Sequence, residues 1–372
     1  MRAPDSAALM NSRPGLRLLV LTRYSRLGAS SRLRTFQFDG YLRDAGIEPT
    51  YSSFFDDAYL ERFYGGGVRA GGLRNYLARR VRMLRRAGHY DCIWLEKEAL
   101  PWIPFALEHA LWPREVPVVT DFDDAVFHRY DSHPNPLVRL ALGRKIDRIM
   151  AASRLVFAGN TYLADRARAA GAAVEIVPTV VSLARYRPRD PLAIDGPLRI
   201  GWIGTPSTWQ DYLADVAPEI VAASEACGAT FCAVGGGEPA SRTRGVQVVE
   251  WTEASEVDLI RSMDIGIMPL TDSPFARGKC GYKLIQYMAC GLPVVASPVG
   301  VNAEIVEHGV NGFLASSSAE WREAIVRLAG DRELRLRMGT AGRQKVVSQF
   351  SAEAVGPRIA RLLKATVEQA RQ

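Results

Sequence analysis

The chain has 372 residues, 48% hydrophobic and 23% charged, with a formal charge of +7. That length is about two to three times a usual domain, so two domains are expected, each with apolar residues enough for its own core and no need of disulfide staples. The excess of cations suits an anionic partner (nucleotide, nucleic acid or lipid surface) without choosing among them.

In chain order, residues 1–16 carry Arg2, Asp5 and Arg13 and no long apolar run. They read as a disordered lead-in over 1–15, neither a secretory signal nor a membrane span. The five cysteines, Cys92, Cys227, Cys232, Cys280 and Cys290, show no metal-ligand or redox spacing. They read as reduced thiols of a cytosolic protein.

A first domain is expected over 16–182. The apolar run 18–21 predicts a buried strand feeding the polar loop 23–31. In that loop Gly28 precedes Ser30 and Ser31, which can cap a helix over 31–45. Arg32 and Arg34 fall in its first turn, where a cation opposes the helix dipole, so an anion held nearby is expected; solvent exposure of Arg32 is the alternative. Residues 65–67 are a glycine run that reads as a flexible loop.

Leu73–Arg86 is amphipathic, with Leu73, Leu77, Val81 and Leu84 on one face and Arg74, Arg79, Arg82, Arg85 and Arg86 on the other. Arg80 falls on the apolar side, which a membrane interface accepts by snorkelling; a core-packed helix with a charged face is the alternative. Nucleic acid is not expected, because the arginines lack interleaved aromatics or a binding motif. The apolar run 99–112, with Trp102 and Trp112, is too short to span a bilayer.

Further strands are predicted over 92–95, 116–120, 155–158 and 174–177, with a helix over 137–151. Asp121, Asp123 and Asp124 follow the strand 116–120 at its carboxyl end. Clustered carboxylates repel one another unless metal, arginine or substrate hydroxyls compensate, which marks them as candidates for acceptor-side chemistry; a helix-capping turn is the alternative. His128 and His133 lack a third ligand at sensible spacing and read as structural, so no metal site is expected.

Pro188, Asp190, Pro191, Asp195 and Pro197 break the pattern, giving a linker over 183–197. A second domain over 198–350 restarts the alternation, with strands at 198–204, 230–234, 246–249, 265–270 and 292–296. Residues 235–237 read as a strand-end glycine turn and Asp264 as a turn. The most informative segment is 275–298, FARGKCGYKLIQYMACGLPVVASP. A glycine-flanked basic loop with Arg277 and Lys279 leads into a helix carrying Lys283. Helix-terminal amides, lysines and a backbone opened by Gly278 and Gly281 suit an anion, while a solvated loop is the alternative. A last helix over 351–372 carries Val355, Ile359, Leu362, Leu363 and Val367 on one face.

The stretch LIQYMACGLPVVAS over 284–297 closely resembles the donor segment of family-4 glycosyltransferases, a retaining group with the GT-B fold. GWIG over 201–204, VPT over 177–179 and VNGFL over 310–314 resemble other parts of that family. GASSRLR over 28–34, DFDDAVF over 121–127 and GNTYL over 159–163 resemble a bacterial surface-polysaccharide subgroup.

The resemblance implies an α/β GT-B fold, two doubly wound Rossmann-like domains facing across a cleft. It implies a metal-independent, retaining hexosyltransferase without a cofactor, using a nucleotide-diphosphate sugar and a cell-envelope glycan or lipid-linked acceptor. The last helix would return to the first domain. Donor contacts would come from Gly28, Arg32, Gly204, Thr205, Arg277, Lys279, Cys280, Gly281, Tyr282, Lys283 and Gln286. Asp123, where the family places a histidine, would engage the acceptor with Asp124 beside it. Gly278 and Gln286 stand where the family usually carries two glutamates, and Thr205, Ser207 and Thr208 replace its cation pair. The expected setting is cytoplasmic, with peripheral contact to an anionic membrane. A catalytically silent sugar-nucleotide or polysaccharide binder and a sugar-nucleotide epimerase are the alternatives.

Overall fold

The computed structural model describes residues 15–64, 72–189 and 196–372. The lead-in up to residue 14, the glycine run 65–67 and the linker residues 190–195 lie outside the described residues. Two parallel sheets organise the chain. In the first, β1 (Leu16–Tyr24), β2 (Ile47–Phe55), β3 (Cys92–Glu96), β4 (Val118–Phe122), β5 (Leu155–Ala158) and β6 (Val174–Ile176) lie in the order β2-β1-β3-β4-β5-β6. In the second, β7 (Arg199–Ile203), β8 (Thr230–Val234), β9 (Val246–Val249), β10 (Ile265–Met268), β11 (Val294–Ala296) and β12 (Gly312–Leu314) lie in the order β12-β11-β10-β7-β8-β9.

Every residue of β3, β4, β10 and β11 is buried. That is why these strands read as unbroken apolar runs: helices cover both faces of a parallel sheet. The strand order reverses between β1 and β3 and again between β7 and β10. Loops leaving the carboxyl ends at such a reversal diverge to opposite faces and open a crevice, so the fold places binding loops at 23–31, 97–104, 204–208 and 270–281.

Two strands escape the sequence pattern. The edge strand β2 carries Glu48, Pro49, Ser52 and Ser53, since only one side of it pairs with a neighbour and its outer groups meet solvent. β12 lies in the VNGFL stretch over 310–314, and its three residues extend the second sheet beside β11.

Two predicted helices are broken. In place of one helix over 31–45, the chain makes Ala29–Arg34, a 3₁₀ turn Phe36–Phe38 and Asp39–Asp44. The break lies at Thr35, whose hydroxyl donates back to the Ser31 carbonyl at 2.8 Å. Arg32 and Arg34 therefore stand in a last turn, where the helix dipole favours cations. The second helix divides into Pro136–Leu142 and Lys145–Ala152 around Gly143. The break turns buried Lys145 towards Glu98 and Glu108, at 2.6 and 3.1 Å.

The helix Ala352–Arg371 leaves the second domain and packs on the first. Val355, Ile359, Leu363 and Val367 share a core with Leu18, Val20 and Trp94. Arg358 donates to the Ile176 carbonyl at 2.8 Å and pairs with Glu175.

Leu73–Arg86 packs on the first core through Leu77, Val81 and Leu84. Arg80 is buried: one Nη donates to the Thr22 carbonyl at 2.6 Å and its guanidinium lies 5.7 Å from the Phe54 ring. The membrane reading of Arg80 is thus corrected, because its charge is held in protein and burial lowers its pKa to about 10.

Candidate functional site

At the carboxyl ends of β3 and β4 the first domain builds a charged cluster. Arg34, buried, donates to both oxygens of buried Asp121 at 2.8 and 3.1 Å and to the Val177 carbonyl at 2.8 Å. Burial works against the Arg34 charge, but the Asp121 carboxylate more than offsets it, and the arginine's pKa is raised. Asp121 also accepts from Trp94 Nε1 at 3.3 Å. The first of the three acids therefore holds β4 to the helix Ala29–Arg34.

Asp123 has its own cation. Lys97 Nζ lies 2.7 Å from Asp123 Oδ1, and Ser30 Oγ donates to Oδ2 at 2.7 Å. Burial would raise this carboxyl, but Lys97, Arg34 and Ser30 together pull it down to about 2. Lys97 sits at a left-handed φ of 62°, an uncommon backbone for a lysine and one that clusters at functional sites. Glu96 completes the group, accepting from Ser30, Ser31 and the Arg23 amide.

Asp124 is different. It is half-buried, and among the described residues no donor bonds its carboxylate. Burial first, then the neighbouring Asp123 charge, raise its pKa, against the pull of Lys97, Lys279 and Arg129. Asp123 is tied within its own domain by Lys97 and Ser30, whereas Asp124 feels the charge of Lys279 from the second.

There, the helix Tyr282–Ala289 begins after Gly281, whose φ of 65° lets the chain turn sharply into it. Lys283 Nζ lies 5.5 Å from the Trp202 ring, which packs under Gly204; Lys279 Nζ lies 5.4 Å from the Tyr212 ring and 5.2 Å from Phe275. Neither lysine has a carboxylate partner among the described residues. Burial and the neighbouring Lys279 lower the Lys283 pKa to about 8. Two adjacent ammonium groups facing aromatic rings form a site suited to an anion.

Several expected donor contacts have other partners. Arg277 is exposed and forks onto Asp272 at 2.7 and 2.8 Å, so a surface carboxylate has taken it. Cys280 reaches the first domain, its Sγ 3.0 Å from the Asp123 carbonyl, and burial pushes the thiol up to about 12. Arg32 spans the domains to Glu253 at 3.0 Å; the anion expected near it is a carboxylate of the protein itself. Gly28 packs on Tyr24, where a Cβ would come within 2.3 Å.

Gln286 is buried and donates to the Tyr186 hydroxyl at 2.8 Å. That hydroxyl lies 3.3 Å from Tyr282 and donates to Glu256, which also accepts from Trp251 Nε1 at 3.0 Å. Thr205 caps Pro206–Tyr212 reciprocally with Thr208. Asp264 does more than turn the chain: it is buried and accepts from Arg189 at 2.9 Å and the Arg199 amide at 2.7 Å. His128 bonds Asp131 and Tyr162, and among the described residues no group of three or more His, Cys, Asp or Glu has metal-ligating geometry.

The domains touch through the donor loop. Asn160 Nδ2 donates to the carbonyls of Gly278 and Lys279 at 3.0 and 2.9 Å. A Cβ on Gly278 would lie 2.5 Å from the Ala125 Cβ and 2.8 Å from its amide nitrogen. The position therefore admits only glycine in this arrangement, which accounts for the missing side chain there.

Sequence reasoning read Ser30 as a helix cap and passed over Glu96 and Lys97 in the first domain, and Glu256, Trp251 and Tyr186 in the second. The signal for the first group was present in LEKE over 95–98, which is charged at the carboxyl end of an apolar strand. The second group joins two distant segments, 251–256 and Tyr186, and has no local pattern.

Residues 197–331 match the family described as Glycosyl transferases group 1. A D-inositol 3-phosphate glycosyltransferase of Nocardia farcinica is 27% identical over 205 residues, covering 48% of this chain and 43% of that protein. The chain covers between 16% and 43% of the curated relatives it matches. Among solved structures, sucrose-phosphate synthase from Thermosynechococcus elongatus superposes with a TM-score of 0.71 at 15% identity, covering 95% of this chain and all (100%) of that one. Anabaena HepE in complex with UDP and glucose gives 0.69 at 18%, covering 94% and 100%. The fold is GT-B, and the group 1 match lies within its second domain.

Proposed function

We propose that this chain transfers a hexose-type sugar from a nucleotide-diphosphate sugar to a hydroxyl of a cell-envelope glycan or lipid-linked acceptor. The observation that carries the reading is the pair Lys279 and Lys283, two cations that no carboxylate pairs with among the described residues, set beside the Gly204 loop and across from Asp124. A diphosphate between them would be such an anion, and their charge would stabilise it as the leaving group, with no metal required of the protein. Trp251 is exposed next to Gly235 and offers a face on which a base can stack. Asp124 accepts the proton of the acceptor hydroxyl as its oxygen bonds the anomeric carbon on the face from which the diphosphate departs; the bond to the diphosphate breaks as the new one forms, and the configuration is kept. The binding of UDP and glucose by HepE, a protein of like fold, supports a nucleotide-sugar ligand.

Binding is tested by tryptophan fluorescence and thermal shift with UDP, GDP and ADP. The matching diphosphate at about a hundredfold excess over its Kd adds about 2.7 kcal/mol of stability. No shift with any of them at millimolar concentration overturns the reading. Lys283→Ala is expected to weaken diphosphate binding by about 1.5–3 kcal/mol and to leave nucleoside binding unchanged.

The pH dependence follows from the depressed pKa. Lys283 is charged below about 8 and loses its proton above. Wild-type affinity should hold at neutral pH and decline as pH rises through 8 to 9, while Lys283→Ala shows a flatter profile. An identical slope in both proteins assigns the titration elsewhere.

Gly278→Glu restores the residue type of the resembling family but cannot fit against Ala125. It is expected to hold the domains apart and lower kcat about 100-fold or more, the usual effect of a misplacement near 1 Å, with diphosphate affinity retained. Scattering would register the wider separation. Undiminished turnover would mean that this contact does not form during the reaction.

A second reading has its own observation. Both positions of the family's glutamates carry no acid and are held by protein contacts, Gly278 by Ala125 and Gln286 by Tyr186. A binder without turnover would show the diphosphate shift and no sugar transfer or hydrolysis in single-turnover experiments.

A further inference from the structure

The helix Pro136–Leu142 is apolar on both sides. Leu142 is buried and Val138 packs against the first core, yet Leu137 and Leu140 stand 71% and 86% exposed, three residues apart on the outer face. Apart from Arg139, whose guanidinium folds back on the His133 and Pro134 carbonyls, the outer side of this helix is apolar, a pattern suited to a covering surface. The exposure continues beyond this helix. Leu107 is 62% exposed on the helix Phe105–His109, and both helices lie against Lys145–Ala152.

Trp102, 51% exposed, stands 5.8 Å from the His133 ring, just before the same helix. Its φ is 65°, a conformation an L-residue adopts only when held. The Tyr130 hydroxyl holds it by accepting the Trp102 amide at 3.1 Å, and is itself fixed by Glu98 and Lys145. A buried polar network thus supports a strained loop that presents an indole to the outside.

The unpaired charge beside these residues is positive, Asp131 and Asp147 being taken by Arg166. From 132 to 146 the sequence has no acidic residue, and exposed Arg144 and Arg148 have no carboxylate partner among the described residues. A second copy of this chain would set these cations against their own kind, as a two-fold contact repeats the same patch on both sides. An anionic lipid surface instead complements both components: leucine and indole enter the interfacial zone and arginines meet headgroups. No helix among the described residues is long and apolar enough to cross a membrane.

We propose that the face formed by Trp102, Leu107, Leu137 and Leu140 docks the first domain on an anionic membrane, where a lipid-linked acceptor would meet Asp124. The choice of acceptor rests on the function proposed above; the membrane contact does not. This face lies apart from the arginine helix Leu73–Arg86, whose apolar side is already used by the core.

The test is flotation of the full chain with vesicles of phosphatidylcholine alone or mixed with phosphatidylglycerol. The wild type should float with the mixed vesicles, less so as salt screens the headgroups. Leu137→Asp with Leu140→Asp, both at exposed positions, should lower partition at least about tenfold with unchanged melting and unchanged UDP response. Equal flotation of variant and wild type overturns the proposal. So does a concentration-dependent dimer that the variant abolishes without any vesicle binding by the wild type, which would assign the face to a second copy. A floating wild type that shows no shift with UDP, GDP or ADP would count against the transferase reading alone.

Discussion

Asp124→Asn is expected to lower turnover by about 10²–10⁴-fold, the usual contribution of a general base, while melting and diphosphate binding stay unchanged. The expectation rests on the contrast between adjacent acids. Asp123 is paired with Lys97 at 2.7 Å and held near pKa 2, so it is a weak proton acceptor already in use. Among the described residues no donor bonds the Asp124 carboxylate, and its pKa is raised by burial and by Asp123. The asparagine keeps the shape and removes the basicity.

Asp123→Asn is the comparison. It leaves the Lys97 ammonium buried beside a neutral amide, and its loss should register as reduced stability. The sign of that contribution is set by the depressed pKa: it is present above the unfolded value near 4 and is lost as pH falls towards 2. With a verified acceptor, turnover of Asp124→Asn within a few-fold of wild type would return the acceptor role to another group.

Arg34→Ala is expected to destabilise the first domain by about 3–5 kcal/mol, measured as a shift of the denaturant midpoint. Both Arg34 and Asp121 have side chains about 1% exposed, so removing the cation strands a carboxylate with Trp94 as its remaining side-chain donor. It also frees the Val177 carbonyl at the exit of the domain. The paired replacement Arg34→Met with Asp121→Leu removes both charges and should recover most of the loss, because desolvation of an ion pair largely cancels its attraction. A single variant with wild-type stability would show that water reaches this pair.

The comparison of sequence and structure follows from which interactions are local. Strands covered on both faces must be apolar along their whole length, so β1, β3, β5, β8 and β10 were legible as runs, and their alternation with helices determined the parallel architecture. The edge strand β2 was not, because one of its sides has no neighbour to demand apolar residues. The donor segment was legible because a glycine turn, two lysines and a buried helix are consecutive. The last helix announced its apolar face but not the domain that would cover it.

What the sequence could not specify is the partner of each charge. Arg277 and Lys279 are alike in the loop, yet Asp272 captures the first, while the second faces the Tyr212 and Phe275 rings with no carboxylate paired to it among the described residues. Asp123 and Asp124 are adjacent and chemically identical, and a lysine from the loop after β3 decides which one is bound. Gly278 is a mere absence of side chain until Ala125 of the other domain is seen 2.5 Å from where its Cβ would be. Local propensity and burial pattern are short-range and determined the two-domain scaffold; pairing of charges and contact between domains join residues far apart in the chain, and only the tertiary structure decided them.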